Sequence, residues 1–364
     1  MARTFLHRLP GGRLAGARLL AAAEAGRLPD AAIRAGIEGR LRAKVATEGR
    51  GGPEAAEARK RALLAERAAG PITTNVVDAN RQHYEVPPEF FRRILGPRLR
   101  YSCCWWPGGV DELPAAEEAA LAQTAERARI ADGERVLELG AGWGSLSLFL
   151  AEHFPLAEIV TVSNSTTQKA HIDAEAERRR LTNLTVITAD VGHFEPPPSD
   201  RPFDRVVSVE MFEHVRNHRA LLERIAGWLR PGGSCFVHVF AHRQLAWHFD
   251  AEAESDWMAR QFFAGGTMPS ADLLLREQRH LTVVDHHWLD GTHYAHTLQA
   301  WLDRLDAAPD ACLTALAAGD DPTPPELQLS RWRLFLLASI GTWAFRGGRE
   351  FGVGHYLFER PRER

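Results

Sequence analysis

Two carboxylates and one imidazole stand close together in the sequence, at Glu210, Glu213 and His214. Glu210 and Glu213 are three residues apart, so a single helical turn would bring them to the same face. Histidine is the side chain whose ordinary pKa lies nearest neutrality. A set of this kind can remove the proton from a nucleophile that reacts only when neutral, such as an amine. We therefore predict that these three residues are catalytic; the alternative is that they cap a helix and face solvent.

A glycine-rich segment is the second candidate site. Gly140, Gly142 and Gly144 lie between a predicted strand and a predicted helix. Glycine lets the backbone turn sharply and lets a ligand approach without a Cβ atom in the way. The GxGxG spacing differs from the GxGxxG of dinucleotide-binding proteins. The next strand ends in Ser163-Asn164 rather than in the acidic residue that contacts the ribose of a nicotinamide cofactor. The segment therefore predicts a ligand-binding turn and disfavours a pyrophosphate ligand.

Hydrophobic runs and turn signals place both candidates in one sheet. Strands alternate with helices from residue 134 onward, which predicts a parallel, doubly wound α/β sheet. The predicted strands span residues 135–139, 158–162, 184–189, 205–209, 234–240, 281–289 and 355–359. The predicted helices span residues 145–154, 167–180, 218–229 and 297–345, the last with a proline-rich gap at 321–325. Both candidates follow strands, and ligands of such sheets bind at the carboxyl ends of the strands.

Length and composition exclude several classes of protein. A chain of 364 residues forms one large domain or two smaller ones. The net charge of −3 excludes a polybasic protein that coats nucleic acid, and four cysteines exclude a disulfide scaffold. We find neither an apolar run long enough to span a membrane nor a secretory signal, so we predict a cytoplasmic protein. The 16 histidines show no organised ligand spacing, and we predict no metal site.

The first 70 residues differ in charge from the rest of the chain. They hold 14 Lys and Arg against 7 Asp and Glu, a net of +7, so the remaining 294 residues carry −10. We predict several helices here, with a break at residues 51–53. Two interpretations stay open. These helices either pack on the main domain with a solvated outer face or lie on an anionic membrane.

Several motifs resemble those of one enzyme superfamily. LELGAGWGS at residues 137–145 is similar to the glycine turn of the cyclopropane-fatty-acyl-phospholipid synthase family, whose members use S-adenosylmethionine (SAM). Residues 82–106, 209–217, 256–275 and 291–297 resemble the coclaurine N-methyltransferase branch, and FFAGGTMPS at residues 262–270 is a long and unusual match. The resemblance implies a class I SAM-methyltransferase fold with an N-terminal helical region and a lid inserted after the fifth strand.

The same resemblance divides the chain into three segments. Residues 1–115 are expected to form the N-terminal helical region and a segment that covers the cofactor. Residues 116–240 are expected to form the SAM-binding, Rossmann-like core. Residues 241–364 are expected to form the substrate lid and to complete the sheet.

The resemblance also assigns cofactor contacts. It places Tyr101-Ser102 against the methionyl part of SAM, Asn164 and Gln168 at the ribose, and Asp190 at the adenine. The expected cofactor residues are Tyr101, Ser102, Glu138, Gly140, Gly142, Gly144, Asn164, Gln168, Asp190 and Val191. Carboxylates and amides suit this task because they accept hydrogen bonds from ribose hydroxyls and from the adenine amine.

A lipid-modifying alternative comes from the same superfamily. Cyclopropane synthases hold a bicarbonate base with a Cys, a Glu, a His and a Tyr. Cys103, Glu213 and His238 match the first three, whereas the Tyr aligns with Phe335, which has no hydroxyl. Those synthases typically carry Gly at the position of Glu210. Both departures favour amine methylation, for which the resemblance points to the same Glu210, Glu213 and His214 cluster. Buried structural roles for Cys103 and His238 remain the competing interpretation.

Aromatic residues are dense between residues 241 and 300, which predicts an aromatic lid. Such walls suit a flat, cationic amine through cation–π attraction, but they also suit an acyl chain or a plain lid core. By resemblance we expect Phe263, His293 and Tyr294 to line the acceptor pocket. The predicted partner is a small amine. The alternative is an unsaturated phospholipid acyl chain, with bicarbonate as the base and peripheral membrane contact.

A third alternative is a protein that binds SAM without turnover. The intact cluster of Glu210, Glu213 and His214 argues against it. We expect no nucleic-acid partner, and we leave a homodimer open.

Overall fold

A seven-stranded sheet forms the centre of the computed structural model, which describes residues 18–74, 86–249, 257–263 and 265–362. The strands are β1 Arg135–Leu139, β2 Glu158–Ser163, β3 Leu184–Thr188, β4 Phe203–Val209, β5 Leu229–His242, β6 Thr282–Asp290 and β7 Phe351–Glu359. Their order is β3-β2-β1-β4-β5-β7-β6. Strands β1 to β5 are parallel, and β7 runs antiparallel to both of its neighbours. The predicted α/β sheet is confirmed, but it is mixed rather than wholly parallel.

Apolar side chains cover both faces of this sheet. Val136 packs in one buried cluster with Leu146, and its neighbour Leu137 packs in another with Leu221. Successive strand residues point to opposite faces, so the apolar residues of β1 contribute to both clusters. All five of its residues are buried. The two charged residues of the strand, Arg135 and Glu138, are buried with polar partners.

Helices surround the sheet and extend it at the N-terminus. They are α1 Asp30–Glu48, α2 Gly52–Ala68, α3 Pro88–Ile94, α4 Leu113–Arg127, α5 Ser145–His153, α6 Thr166–Arg179, α7 His218–Trp228, α8 Trp257–Phe262, α9 Gly291–Ala307, α10 Pro309–Ala317 and α11 Pro325–Trp343. Residues 18–24 are helical as well. In the parts of the chain that the structure covers, no helix is long and apolar enough to cross a membrane.

Side-chain caps begin two of the helices that carry site residues. Ser165 accepts a hydrogen bond from the Gln168 amide at 3.2 Å and so starts α6 directly after β2. Asp290 accepts one from the Thr292 amide at 2.8 Å and starts α9. Such oxygens satisfy N–H groups that have no partner within the helix. The second cap explains why α9 begins at Gly291, six residues before the predicted start at 297.

The predicted gap between the helix at residues 218–229 and the strand at residues 234–240 is wrong. Residues 231–233, Pro-Gly-Gly, lie inside β5 rather than in a turn before it. Gly232 donates to the Arg360 carbonyl at 2.9 Å, and the Arg360 amide donates to the Gly233 carbonyl at 2.8 Å. The chain that follows β7 therefore supplies the pairing that turns this segment into strand. The same pairing partner, β7, is longer than predicted, because it begins at Phe351 instead of His355.

The N-terminal helices pack against the main domain. Asp30 of α1 accepts two hydrogen bonds from Arg333 of α11, at 2.7 and 2.9 Å. Arg67 of α2 is 2% exposed; it donates through Nε to the Arg216 carbonyl at 2.7 Å and through Nη2 to the Val215 carbonyl. These two carbonyls lie directly after His214. Helix α2 therefore supports the turn that carries the predicted catalytic residues.

Candidate active site

The main cavity lies where the strands β1 to β4 end. Its near wall comes from the glycine turn after β1, Asn164 after β2, Asp190 after β3 and Glu210 after β4. Its far wall comes from α9 and α11, including Tyr294 and Phe335. The cavity therefore occupies the edge of the sheet at which the sequence predicts ligand binding.

The glycine turn needs its glycines for conformation and for space. Gly140 and Gly144 have φ values of +91° and +81°, a region that L-residues rarely adopt. A Cβ atom at Gly144 would lie 2.7 Å from Ile172. A Cβ atom at Gly142 would meet no atom within 4 Å, so the turn presents bare backbone to the cavity.

Glu210 is held in a strained backbone conformation by its contacts. Its φ is +49°, although it is not glycine, and its amide donates to the His238 carbonyl at 2.8 Å. Its Oε1 accepts hydrogen bonds from the Cys103 amide at 2.9 Å and from His238 Nε2 at 3.2 Å. Its Oε2 accepts a hydrogen bond from the Tyr294 hydroxyl. Strain of this kind costs about 1–3 kcal/mol and persists where the surroundings fix it, as these donors do.

Glu213 has the opposite surroundings. It is 2% exposed, and in the described part of the chain no donor reaches its Oε2 atom. Burial, followed by the nearby Glu210 carboxylate, raises the pKa of Glu213 well above its ordinary value. A carboxylate with a raised pKa binds a proton more strongly than an ordinary glutamate. Glu210 therefore already accepts three hydrogen bonds, whereas Glu213 can take up a proton.

Aromatic rings surround the opening beside these carboxylates. His214 stacks on Phe263, with ring centroids 5.9 Å apart and an angle of 3° between the planes. Phe249 and Phe240 pack on the same Phe263 ring at 5.5 and 5.9 Å. All four line the cavity. The imidazole therefore stands at the boundary between the carboxylates and an aromatic chamber.

Comparisons with known proteins agree with this geometry. The family model for mycolic acid cyclopropane synthetase matches residues 72–342. The chain belongs to this family. An (S)-coclaurine N-methyltransferase of Thalictrum flavum subsp. glaucum is 34% identical over 293 residues, which cover 79% of this chain and 80% of that protein.

Two further relatives represent the two branches of the superfamily. The crystal structure of coclaurine N-methyltransferase bound to N-methylheliamine and SAH matches with a TM-score of 0.88 and 31% identity, covering 94% of this chain and 99% of that one. The cyclopropane-fatty-acyl-phospholipid synthase of Escherichia coli (strain K12) is 29% identical over 63% of this chain and 56% of its own length. The predicted SAM-methyltransferase fold is confirmed, and this family member is a methyltransferase that uses SAM.

Nearly all of the predicted cofactor residues of this family member line the cavity. They are Tyr101, Ser102, Glu138, Gly140, Gly142, Asn164, Gln168, Asp190 and Val191. Gly144 lies at the start of α5, where it ends the turn. Burial raises the pKa of Glu138 to about 7, although the Thr161 hydroxyl donates to it at 2.8 Å.

The predicted acceptor-site residues divide into two groups. Phe263, Tyr294 and Phe335 line the cavity. Cys103 and His238 donate hydrogen bonds to Glu210, Cys103 through its amide rather than its thiol. His293 is not among the described residues that line this cavity; its Nδ1 accepts a hydrogen bond from the Trp106 amide at 3.1 Å, and its role in the acceptor site stays a prediction.

The hydroxyl that reaches Glu210 comes from a different helix than the one that carries Phe335. Phe335 on α11 stacks on Phe262 at 4.3 Å and offers no polar atom. Tyr294 on α9 instead donates its hydroxyl to Glu210. A comparison of motifs could not reveal this contact, because Tyr294 and Glu210 are 84 residues apart in the chain.

Sequence reasoning missed two cavity residues. Arg100 is 2% exposed, and its Nε donates to the Cys103 carbonyl at 3.1 Å. Thr73 donates its hydroxyl to Asp190 at 3.0 Å, so the N-terminal segment reaches the predicted adenine site. The position of Arg100 directly before Tyr101-Ser102 was the available signal. Nothing in the sequence indicated that this arginine is buried.

Proposed function

We propose that the protein transfers a methyl group from SAM to the nitrogen of a small amine, which is a flat, cationic molecule before it reacts. One observation carries the proposal: two carboxylates with unlike surroundings, Glu210 and Glu213, lie beside an aromatic chamber. Aromatic faces attract a cationic amine. A buried carboxylate without a donor at Oε2 suits removal of the proton of the amine. The high similarity to coclaurine N-methyltransferases supports the same acceptor class.

The residues near the glycine turn fit the cofactor. The open backbone at Gly142 leaves room for a ligand. Arg100 lines the cavity, and its Nη2 atom is buried. Among the described residues no hydrogen-bond acceptor reaches this atom. A carboxylate such as that of the methionyl group would satisfy this guanidinium. When bound, SAM supplies an electrophilic methyl group on a positively charged sulfur.

The chain's own side chains position the amine and manage its proton. The aromatic rings around Phe263 hold the cationic acceptor, and the Glu210 carboxylate attracts its charge. The Glu213 carboxylate accepts the N–H proton, so the nitrogen regains the lone pair that it needs for attack. His214 stands at the chamber boundary, where it can pass that proton toward solvent.

Replacement of Arg100 tests the cofactor assignment. We expect Arg100→Met to weaken SAM binding about 100-fold, because truncating one partner of a buried charged pair costs about 2–5 kcal/mol. Isothermal titration calorimetry with SAM measures the change. Arg98→Met is the matched control, since Arg98 pairs with Glu118 and Glu152 instead of lining the cavity. Equal SAM affinity in the Arg100 variant and the wild type would contradict the assignment.

Lipid modification remains the second candidate function, because the Escherichia coli synthase is a relative. It would require bicarbonate as the base and contact between the basic N-terminal region and a membrane. Two observations weigh against it. Glu210 already occupies the donors of Cys103, His238 and Tyr294 that an added anion would use. The N-terminal helices pack on the main domain through buried Arg67.

The organisation of the chain follows from this proposal. We assign residues 1–115 to support of the site and covering of the cofactor, 116–240 to SAM binding, and 241–364 to the acceptor lid. We propose a cytoplasmic location and keep a homodimer as a prediction to be tested by size-exclusion chromatography with light scattering.

A competition assay with methyl-labelled SAM decides between the two functions. The protein receives a panel of amines that includes benzylisoquinolines, together with vesicles of unsaturated phospholipid. Mass spectrometry then locates the label. We expect label on nitrogen. Label in the acyl chains would overturn the proposal, and binding of SAM without label in either product would favour a regulatory protein.

A further inference from the structure

A row of hydrogen-bonded side chains leads from the surface of the protein to Glu210. Arg127, at the C-terminal end of α4, places Nη1 2.8 Å from Nδ1 of His355. Nε2 of His355 lies 2.9 Å from Nδ1 of His238, and Nε2 of His238 lies 3.2 Å from Oε1 of Glu210. The two histidines are paired across β5 and β7, and each is 2% exposed. We call Arg127, His355 and His238 the histidine row.

The chemistry of the three side chains fixes where the protons lie. A guanidinium group has only donors, so Nδ1 of His355 must accept. Burial lowers the pKa of both imidazoles, and the cation of Arg127 lowers that of His355 further. Each imidazole is therefore neutral and carries one N–H. His355 carries it on Nε2 and donates to His238, which in turn carries it on Nε2 and donates to Glu210.

This direction has a consequence for the proton of the amine. Every hydrogen bond in the histidine row points toward Glu210, and the row begins at a cation that cannot accept a proton. The row therefore cannot carry a proton outward. It also keeps one lone pair of Glu210 occupied, while Cys103 and Tyr294 occupy others. This is consistent with the proposed role of Glu213 and His214, which take the proton on the cavity side.

We infer that Arg127 and His355 are positioning residues, which lock His238 in the tautomer that donates to Glu210 and so reserve Glu210 as a fixed negative charge while Glu213 takes the proton. The use of that charge rests on the proposed amine methylation, but the tautomers do not. Other charged or titratable groups around the row are Arg100 and His287 beside His355, and Glu126 and Asp285 beside Arg127. None of these makes one of the hydrogen bonds of the row.

The first test is a measurement on the whole protein without substrate. Two-bond ¹H–¹⁵N correlation spectra of histidine-labelled protein distinguish the Nε2–H, Nδ1–H and cationic forms of imidazole. We expect His238 and His355 both to be neutral Nε2–H forms at pH 7. An Nδ1–H or cationic form of either residue in the wild type would overturn the inference, even if amine methylation is confirmed.

The second test removes the start of the row. In Arg127→Met, His355 is free to exchange tautomers, so we expect the His238 Nε2–H signal to lose its dominance. We expect kcat to fall about 10-fold with the KM for SAM unchanged, by analogy with metal sites, where loss of a residue that orients a ligand costs about 10- to 100-fold. Arg127→Lys, which keeps a cationic donor, should restore both readouts.

The matched control is Arg129→Met. Arg129 belongs to the same surface, its side chain is 53% exposed, and it pairs with Asp285 at 3.8 Å rather than with the histidine row. We expect wild-type tautomers and kcat. Unchanged tautomers in Arg127→Met, or an equal loss in the control, would contradict the positioning role. If neither the wild type nor any variant methylates an amine, but the wild type shows the expected tautomers, the result contradicts the proposed function and not the positioning role.

Discussion

Glu213→Gln is expected to lower kcat on the order of 100- to 10,000-fold, which is the usual contribution of a general base. The amide keeps the shape of the side chain but cannot take the proton from the amine. SAM affinity is expected to stay nearly unchanged, because we assign SAM binding to the glycine turn and to Arg100. Steady-state kinetics and calorimetry measure the two quantities. His214→Ala should lower turnover in the same way, by a smaller factor.

The raised pKa of Glu213 also predicts the direction in which kcat depends on pH. Glu213 acts only as a carboxylate, and burial raises its pKa. The kcat of the wild type should therefore be full at alkaline pH and fall as the pH drops through that raised pKa, at a higher pH than an ordinary glutamate would give. This fall in kcat at lower pH should disappear in Glu213→Gln. The control is Glu177→Gln on the exposed surface of α6. A strong loss of SAM affinity in the Glu213 variant would refute the role given to it.

Glu210→Gly is expected to lower kcat/KM by on the order of 100-fold or more, and added formate or bicarbonate should restore part of it. The substitution removes a buried charge that three donors hold, a loss of about 2–5 kcal/mol in comparable pairs. It also leaves a hole lined by the Cys103 amide, His238 and Tyr294, which fits a small carboxylate. Initial rates against the concentration of each anion give the measurement.

The backbone at Glu210 predicts how the variant behaves as a folded protein. Glycine adopts a φ of +49° without strain, so thermal unfolding should occur near the wild-type temperature despite the lost hydrogen bonds. Arg180→Gly is the control, because Arg180 has a φ of +59° at the exposed end of α6. Arg180→Gly should also relieve backbone strain, but added formate should not change its rate. If formate stimulates the wild type and the control as much as Glu210→Gly, the hole is not the site of rescue.

The sequence predicted the order of the strands along the chain and the location of the site, and these predictions rest on strong local signals. Short segments rich in Val, Leu and Ile reveal buried strands, and the glycine turn between β1 and α5 has few structural alternatives. The segment Pro231–Gly233 misled the prediction because its strand pairing is supplied by Arg360, more than a hundred residues away in the chain. Local turn propensity cannot report such a partner.

The details of the catalytic cluster were hidden for the same reason. The spacing of Glu210 and Glu213 predicted two carboxylates on one helical face. In the structure Glu210 has a positive φ and lies outside any helix, whereas Glu213 is the middle residue of a short 3₁₀ turn that spans Phe212–His214. The three donors that distinguish Glu210 come from the segment before α4, from β5 and from α9. Burial of Arg100 likewise depends on elements that are distant in sequence.

The contact between Arg67 and the turn after His214 has a consequence for the order of events during synthesis. The acceptor of Arg67 Nε, the carbonyl of Arg216, lies 149 residues further along the chain. At about 5–20 residues per second, the ribosome needs about 7–30 seconds to add that length. Helix α2 therefore leaves the ribosome long before the surface that buries its guanidinium exists. The N-terminal helices must wait, exposed to chaperones and proteases, until the catalytic turn has been made, and the two parts can only mature together.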